Sequence, residues 1–275
     1  MTIKCIALDL DGTTLYDDRH ISQKNAQAIE CAARAGIIVV AASGRCFTSL
    51  PESIKSFKCV KYAITSNGAA IYNMKTGEPM AAFPLAKADA ERVIALSQGF
   101  HCTYEAFYKG VAYGENTFIK NPTVYGVDAP SVEYIRITRQ GVDSIVDFIK
   151  LQPTGPDSMD IILPPGDDYN TLWSKMQQMR EQVYITASVN HRIEISSLAS
   201  GKHKALEFLL KQLGIKKENA AAFGNADNDI DMIAYVKYGM AVANATLGCK
   251  NAAWAVVGDC RENGVAEGIE RLMKL

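Results

Sequence analysis

Four short segments of this chain carry side chains able to share one reaction. DLDGT places Asp9 and Asp11 two residues apart, ASGR sets Ser43 and Arg45 around Gly44, SGKHKAL contributes Lys202, and GNADND gathers Asn225, Asn228 and Asp229. Two neighbouring carboxylates do not both stay charged cheaply unless a cation or a shared proton separates them, which assigns one as nucleophile and the other as general acid. Gly12 lets the backbone turn sharply and offer amides to a phosphate. Ser43 and Gly44 put a hydroxyl and free N–H groups at a helix N-terminus, a natural anion seat. Lys202 opens a helix at the end whose dipole repels cations, which calls for negative charge opposite it. The crowded oxygens of GNADND suit Mg²⁺, which keeps waters and borrows one or two carboxylates plus substrate phosphate. The joint set is a nucleophile, a second acid, a hydroxyl, a cation and metal-binding oxygens, and it reads as phosphoryl transfer through an aspartate.

Each segment alone has a plainer reading. Asp11-Gly12 fits a β-turn, Ser43 a helix N-cap, Arg45 either a contact to phosphate or lid or a solvated surface position, and Lys202 an exposed lysine. For Asp227, Asp229 and Asp231 a calcium loop of the EF-hand kind competes, but its sixth position is Met232 instead of Gly and its twelfth is Tyr238 instead of Glu. Only one reading explains all four segments at four strand or helix ends.

The elements that must hold these residues follow from hydrophobic period and punctuation. IKCIAL (3–8) is a short apolar run ending at Asp9, so that Asp9 and Asp11 point to one side while Leu10 points into the core. Ser22 caps a helix to Ala35 with Gly36 after it, IIVVAA (37–42) is a second strand ending on Ser43, a helical stretch follows near 46–57, and YAITS (62–66) is a third strand before an Asn67-Gly68 turn. Fully apolar strands alternating with helices predict a doubly wound parallel sheet covered on both faces, with ligands beyond the carboxyl ends of its strands. Residues 84–190 differ in texture. Candidate strands CTYEAFY (102–108), YIRIT (134–138), MDIIL (159–163) and VYITA (183–187) mix with helices near 88–98, 142–150 and 168–181, and Gly155-Pro156 and Pro164-Pro165-Gly166 mark turns. This predicts an inserted α+β domain acting as a lid, between core segments 1–83 and 191–275. From 191 the earlier rhythm resumes: a helix from Gly201 to Leu213, strand AAAF (220–223), a helix from about Asp229, strand MAVAN (240–244), helix 245–255, strand VVGD (256–259) and a last helix to Leu275.

With 275 residues the chain is long enough for a full core and near the length at which one core divides in two. Its 29 Lys and Arg balance 30 Asp and Glu without a long run of either sign, which argues against nucleic-acid binding and a polybasic membrane patch. Seven scattered cysteines form neither a disulfide framework nor a zinc knuckle, and the four histidines lack metal-ligand spacing. No signal-peptide pattern and no apolar run of bilayer length is present, so the expectation is a cytoplasmic protein free of membrane.

These residues resemble the haloacid dehalogenase superfamily, specifically its Cof-type sugar-phosphatase branch with a type IIB cap. DLDGTTL resembles the first motif, ASGR the second, Lys202 the third and GNADNDIDM the fourth, while TSNGAAIYN (65–73), GMAVANA (239–245) and ENGVAEGI (262–269) also match. The resemblance implies a Mg²⁺-dependent phosphatase for a small phosphorylated metabolite, a sugar phosphate or similar compound. In it Asp9 attacks phosphorus, Asp11 protonates the leaving oxygen and then activates water, and Lys202 offsets negative charge. Leu10, Ser43, Gly44, Arg45 and Asn228 would contact phosphate or substrate, and Asp9, the Asp11 carbonyl, Asn225 and Asp229 would hold the metal. Two positions depart from the family. Asn225 stands where an aspartate usually ligates the metal, which makes the inner cluster one charge more positive and predicts Mg²⁺ affinity weaker by on the order of tenfold or more. His203 stands where glycine usually follows the lysine.

Two other functions fit the same residues. A phosphomutase on this fold would need a hexose bisphosphate for turnover, and a protein weakened by Asn225 would only bind a phosphorylated ligand. An aspartate-accepting receiver domain is much shorter and has no insertion. Specificity is expected from the inserted domain, whose Tyr104, Tyr108, Tyr113 and His191 fit either a pocket lining or ordinary packing.

Overall fold

A computed structural model describes residues 3–17, 19–164, 166, 168–187 and 191–275. The chain forms two compact units, one of Met1–Arg45, Leu50–Ala81 and Lys202–Leu275, the other of Cys46–Ser49 and Ala82–Gly201.

The first unit is built on an eight-stranded sheet. In chain order its strands are β1 (Cys5–Asp9), β2 (Ile38–Ala42), β3 (Val60–Thr65), β4 (Ala70–Asn73), β5 (Pro79–Ala82), β12 (Ala220–Gly224), β13 (Tyr238–Val242) and β14 (Ala255–Val257), six further strands β6–β11 belonging to the second unit. The spatial order is β14-β13-β12-β1-β2-β3-β4-β5. All pairings from β14 through β3 are parallel. β1 and β12 are buried along their whole length, as strands covered on both faces must be, which is why they read as apolar runs. β4 runs antiparallel to β3, because the few residues at Asn67-Gly68 reverse the chain and are too short for a crossover. The sheet is therefore mixed at that edge.

Helices α1 (Gln23–Arg34), α2 (Glu52–Lys55), α8 (Lys202–Gln212), α9 (Ile230–Tyr235), α10 (Leu247–Ala252) and α11 (Gly264–Leu272) complete this unit. Ser22 caps α1 by accepting from the Asn25 amide at 3.1 Å. Asn25, buried, then ties α1 to α11 by accepting from the Ala266 amide at 2.9 Å. The order of strands reverses direction at β1, with β2 on one side and β12 on the other. In open α/β sheets the crevice at such a reversal holds the ligand.

The second unit has a six-stranded sheet of order β10-β11-β9-β6-β7-β8, from β6 (Thr103–Tyr108), β7 (Val111–Glu115), β8 (Arg139–Val142), β9 (Ser158–Ile162), β10 (Val183–Thr186) and β11 (Arg192–Ser197). Alternate residues of β6, β9 and β11 (Tyr104, Ala106, Met159, Ile161, Ile193, Ile195) form one core with α3 (Lys87–Leu96), α6 (Ile145–Leu151) and α7 (Asp168–Met176). Tyr104 and Tyr108 belong to this core, Tyr113 packs against it, and Tyr104 Oη meets Ser97 Oγ at 2.7 Å. A second small cluster sets Phe118 of α4 (Asn116–Lys120) and Ile135 of α5 (Ala129–Thr138) on Ile162. Across β11, β9 and β6, Glu194, Asp160 and Glu105 sit side by side. Arg139 binds Glu105 at 2.6 Å, and Arg192 binds both Glu105 and Asp160 at 3.1 Å.

Four expectations need correction. YIRIT is not a strand but the end of α5, which Pro130 starts in the first turn; Ile135 is buried while Ile137 is exposed, so the alternation belongs to a surface helix. The helix expected over 46–57 is broken, because Pro51 cannot continue one; Phe47–Ser49 form a short turn and only Glu52–Lys55 remain helical. Cys46–Ser49 join the second unit, where Thr48 donates from N and Oγ1 to the Gly110 carbonyl at 3.0 Å and Cys46 packs with Phe107 and Ala112. Finally, the chain re-enters the first unit at Lys202 and not at 191, because Arg192–Ser197 pair antiparallel with β9 and β10. Residue 190, the expected boundary, and Pro165 of the expected turn lie outside the described residues. Among those residues all seven cysteines are free, and no helix is long and apolar enough to cross a membrane.

Candidate active site

Strand register brings the candidate residues level. Asp9, last in β1, lies opposite Ala42, so Ser43 follows at the same height, and Leu8 lies opposite Phe223, so Gly224 and Asn225 emerge beside them. Lys202, first in α8, spans the gap: its Nζ donates to Asp9 Oδ1 and Asp229 Oδ1, both at 2.7 Å. All three residues are buried, with Asp229 and Lys202 at 0 % and 2 % exposure. The negative charge that a lysine at a helix start demands is thus supplied twice over. His203 lies in the first turn of the same helix, 3.7 Å from Asp231.

This burial governs protonation. Loss of solvent, then the neighbouring Asp229 carboxylate, push the Asp9 carboxyl up to about 7 against the pull of Lys202. Lys202, although desolvated, is held charged because Asp229 and Asp9 raise its pKa. Two carboxylates against one ammonium give the pocket an excess of negative charge that a cation relieves.

The Asp229 carboxylate is already well engaged: Oδ2 accepts from the Asn225 and Ala226 amides at 2.9 and 3.1 Å while Oδ1 holds Lys202. Asn225 points its amide at Asp9 Oδ2, the Asp11 carbonyl and Thr13 Oγ1, each 3.1 Å away. With nitrogen inward the amide donates to all three; with oxygen inward it adds a third hard acceptor beside Asp9 Oδ2 and the Asp11 carbonyl. Among the described residues no cluster of three or more His, Cys, Asp and Glu side chains forms a metal cage. The donor set that remains, carboxylate, carbonyl and amide oxygen, fits a hard cation that retains water and completes its shell with substrate. Gly12 is required here: its φ is +72°, and a Cβ would stand 2.6 Å from Asn225 Nδ2.

Asp11 is gripped by Arg45. Nε lies 3.1 and 2.9 Å from the two carboxylate oxygens, and Nη2 lies 2.5 Å from Oδ1. The arginine expected at phosphate or lid thus pairs with the second acid. Ser43 Oγ accepts from the Arg45 amide at 3.1 Å, so the serine also shapes its own turn. The Leu10 side chain is in the core and its carbonyl accepts from the amides of Thr13, Thr14 and Leu15, so a ligand contact from Leu10 falls to its backbone amide. Asn228 is buried and donates to Asn67 Oδ1 at 3.0 Å.

Three residues here lack a role in the sequence reading. Thr14 donates to the Asp9 carbonyl at 2.6 Å, Asn244 donates to the Gly12 carbonyl at 2.7 Å, and Asn67 receives Asn228. Asn67 and Asn244 lie in the segments TSNGAAIYN and GMAVANA, and that resemblance, with the Asn67-Gly68 turn, is the signal for them.

Comparison with known proteins gives the same direction. A profile of haloacid dehalogenase-like hydrolases matches residues 6–269. The Bacillus subtilis phosphatase YwpJ is 26% identical over 98% of this chain and all of its own. A 5-amino-6-(5-phospho-D-ribitylamino)uracil phosphatase, YcsE of Bacillus subtilis, is 30% identical over 97% of this chain and 94% of its own. A solved haloacid dehalogenase-like hydrolase from B. subtilis superposes with a TM-score of 0.85 at 26% identity, covering 98% of this chain and 100% of that one.

Proposed function

The chain belongs to the haloacid dehalogenase-like hydrolases, and we propose that this phosphoric monoester hydrolase cleaves small phosphorylated metabolites through a phosphoryl ester on Asp9. The observation that carries the reading is Lys202 Nζ set 2.7 Å from both Asp9 and Asp229, which leaves a buried carboxylate at a strand end beside amides and a charged partner. Asp9 attacks phosphorus in line; Lys202 favours its ionised form and offsets charge on the phosphoryl oxygens; Ser43 and the Gly44 amide hold two of those oxygens. Asp11 gives its proton to the leaving oxygen, then takes one from the water that frees phosphate and restores Asp9. Arg45 bonds both Asp11 oxygens and so fixes the orientation of the acid, while Oδ2, which meets only Nε, keeps a second lone pair for the proton.

Mg²⁺ is the expected cofactor: Asp9, the Asp11 carbonyl and Asn225 would hold it with Asp229 beside them, and it would supply a Lewis acid for the phosphoryl oxygens. The YcsE relative acts, by its name, on a phosphorylated ribityl compound, and a phosphorylated polyol or sugar is the substrate class proposed here. The test is phosphate release with Mg²⁺ from a chromogenic aryl phosphate, then from a panel of phosphorylated metabolites. Asp9→Asn is expected to abolish turnover, and undiminished activity in that variant would exclude the mechanism.

A further inference from the structure

We propose that Asn67 is a positioning residue that aims the Asn228 amide and braces the Ser43–Arg45 turn, so that the phosphoryl seat depends on a residue outside the four segments. The inference rests on the phosphatase reading for its meaning in catalysis.

Two consecutive non-glycine residues, Ser66 and Asn67, hold left-handed conformations with φ of 48° and 52°. L-residues adopt this region reluctantly, asparagine less so than most, and such strain persists where the surroundings over-determine it. Here it turns the chain after β3 so that two backbone amides reach back. Ser66 N donates to the Arg45 carbonyl at 2.9 Å and Asn67 N to the Ser43 carbonyl at 3.1 Å, seizing both ends of the turn that carries the hydroxyl and the arginine.

Glycine would take this conformation more cheaply, so the asparagine side chain has to be explained. Its Oδ1 accepts from Asn228 Nδ2 at 3.0 Å, a bond between loops 161 positions apart. The same oxygen would lie 3.2 Å from a Cβ on Gly44, so Asn67 also packs against the turn it holds. Asn67 and Asn228 are 5 % and 6 % exposed. With Nδ2 committed to Asn67, the rotation of the Asn228 amide is fixed, and its Oδ1 is left buried without a partner among the described residues, as is Ser66 Oγ. Buried polar atoms left unmatched within a protein are expensive unless a ligand or water meets them. Asn67 therefore joins the loop after β3, the Ser43 turn and the loop after β12 into one frame.

Asn67→Gly separates aim from fold, since it keeps the backbone conformation and deletes only the side chain. The expected result is a folded protein whose melting temperature falls only modestly, through the acceptor lost to Asn228 Nδ2, with a kcat/KM for an aryl phosphate with Mg²⁺ lowered by about tenfold to a hundredfold and competitive inhibition by inorganic phosphate weakened by about tenfold. Because Asn67 acts through Asn228, adding Asn67→Gly to Asn228→Ala should change kcat/KM by less than about twofold. Activity of Asn67→Gly within twofold of wild type, full multiplication of the two single losses, or failure of Asn67→Gly to fold would each overturn the proposal. If the wild type hydrolysed no phosphate ester, the function proposed above would fail separately. Calorimetric binding of inorganic phosphate would then decide: tenfold weaker binding in Asn67→Gly sustains the role of Asn67, and equal binding, or none in either protein, removes it.

Discussion

Arg45 closes on Asp11 through two nitrogens, at 2.9 and 3.1 Å from Nε and 2.5 Å from Nη2, although the carboxylate is 40 % exposed. A planar two-toothed grip fixes the rotamer of the acid in a way that a lysine ammonium, a single point charge, does not reproduce. Arg45→Lys is therefore expected to lower kcat by about tenfold, while stability changes by less than about 1 kcal/mol, as for other partly exposed pairs. Steady-state kinetics and urea melts check the two halves, and an unchanged kcat would remove Arg45 from the mechanism.

Lys202→Met leaves Asp9 and Asp229 facing one another in a buried pocket. Breaking a buried pair from one side costs about 3–5 kcal/mol. The expected outcome is loss of turnover together with a drop in unfolding free energy of that order. A variant as stable as the wild type would show that the lysine does not hold these carboxylates together.

Asn225→Asp brings a third negative charge within 3.1 Å of Asp9 Oδ2 and the Asp11 carbonyl. Without metal the variant should melt at a lower temperature than the wild type. With saturating Mg²⁺ it should gain more stability, its affinity for the ion being raised by about tenfold or more. Thermal shift against Mg²⁺ concentration measures this without recourse to turnover, and equal midpoints in the two proteins would refute the role given to Asn225.

Asp160 supplies the pH dependence. Burial first, then Glu194 and Glu105, push its carboxyl up to about 8 despite Arg192. Below about pH 4 it is neutral in folded and unfolded chains alike. Between there and about pH 8 the unfolded chain releases the proton while the folded one keeps it, so stability falls as pH rises through this window. Asp160→Asn keeps an acceptor for Arg192 and lacks the titration. Its advantage over wild type should grow between about pH 5 and pH 8. Urea unfolding at both pH values tests this, and a difference that stays flat or shrinks would contradict it.

The parallel strands are legible because burial on both faces leaves uninterrupted apolar runs such as CIALD and AAAFG. By contrast β11, RIEISS, escapes a reading of the sequence because Arg192 and Glu194 look outward-facing, whereas Arg192 pairs with buried Glu105 and bonds buried Asp160, and Glu194 is buried beside them. Opposite charges matched across strands are invisible to a periodicity argument, which treats each charge as bound for water. The site shows the same division. Asp9, Lys202 and Asp229 announce themselves by residue type at strand and helix ends, and they converge. The Asp11–Arg45 and Asn67–Asn228 links are not legible, since their partners lie 34 and 161 positions apart and only the assembled sheet brings them together.

Cys46–Ser49 reach the second unit from a point in the chain 36 residues before its main segment begins at Ala82. Engineers who exchange such modules between homologous hydrolases must transplant this tetrapeptide along with Ala82–Gly201. A chimera made by a single contiguous cut would strip Phe107 and Ala112 of their Cys46 neighbour and the Gly110 carbonyl of Thr48, and would begin its life with a hole in the donated sheet.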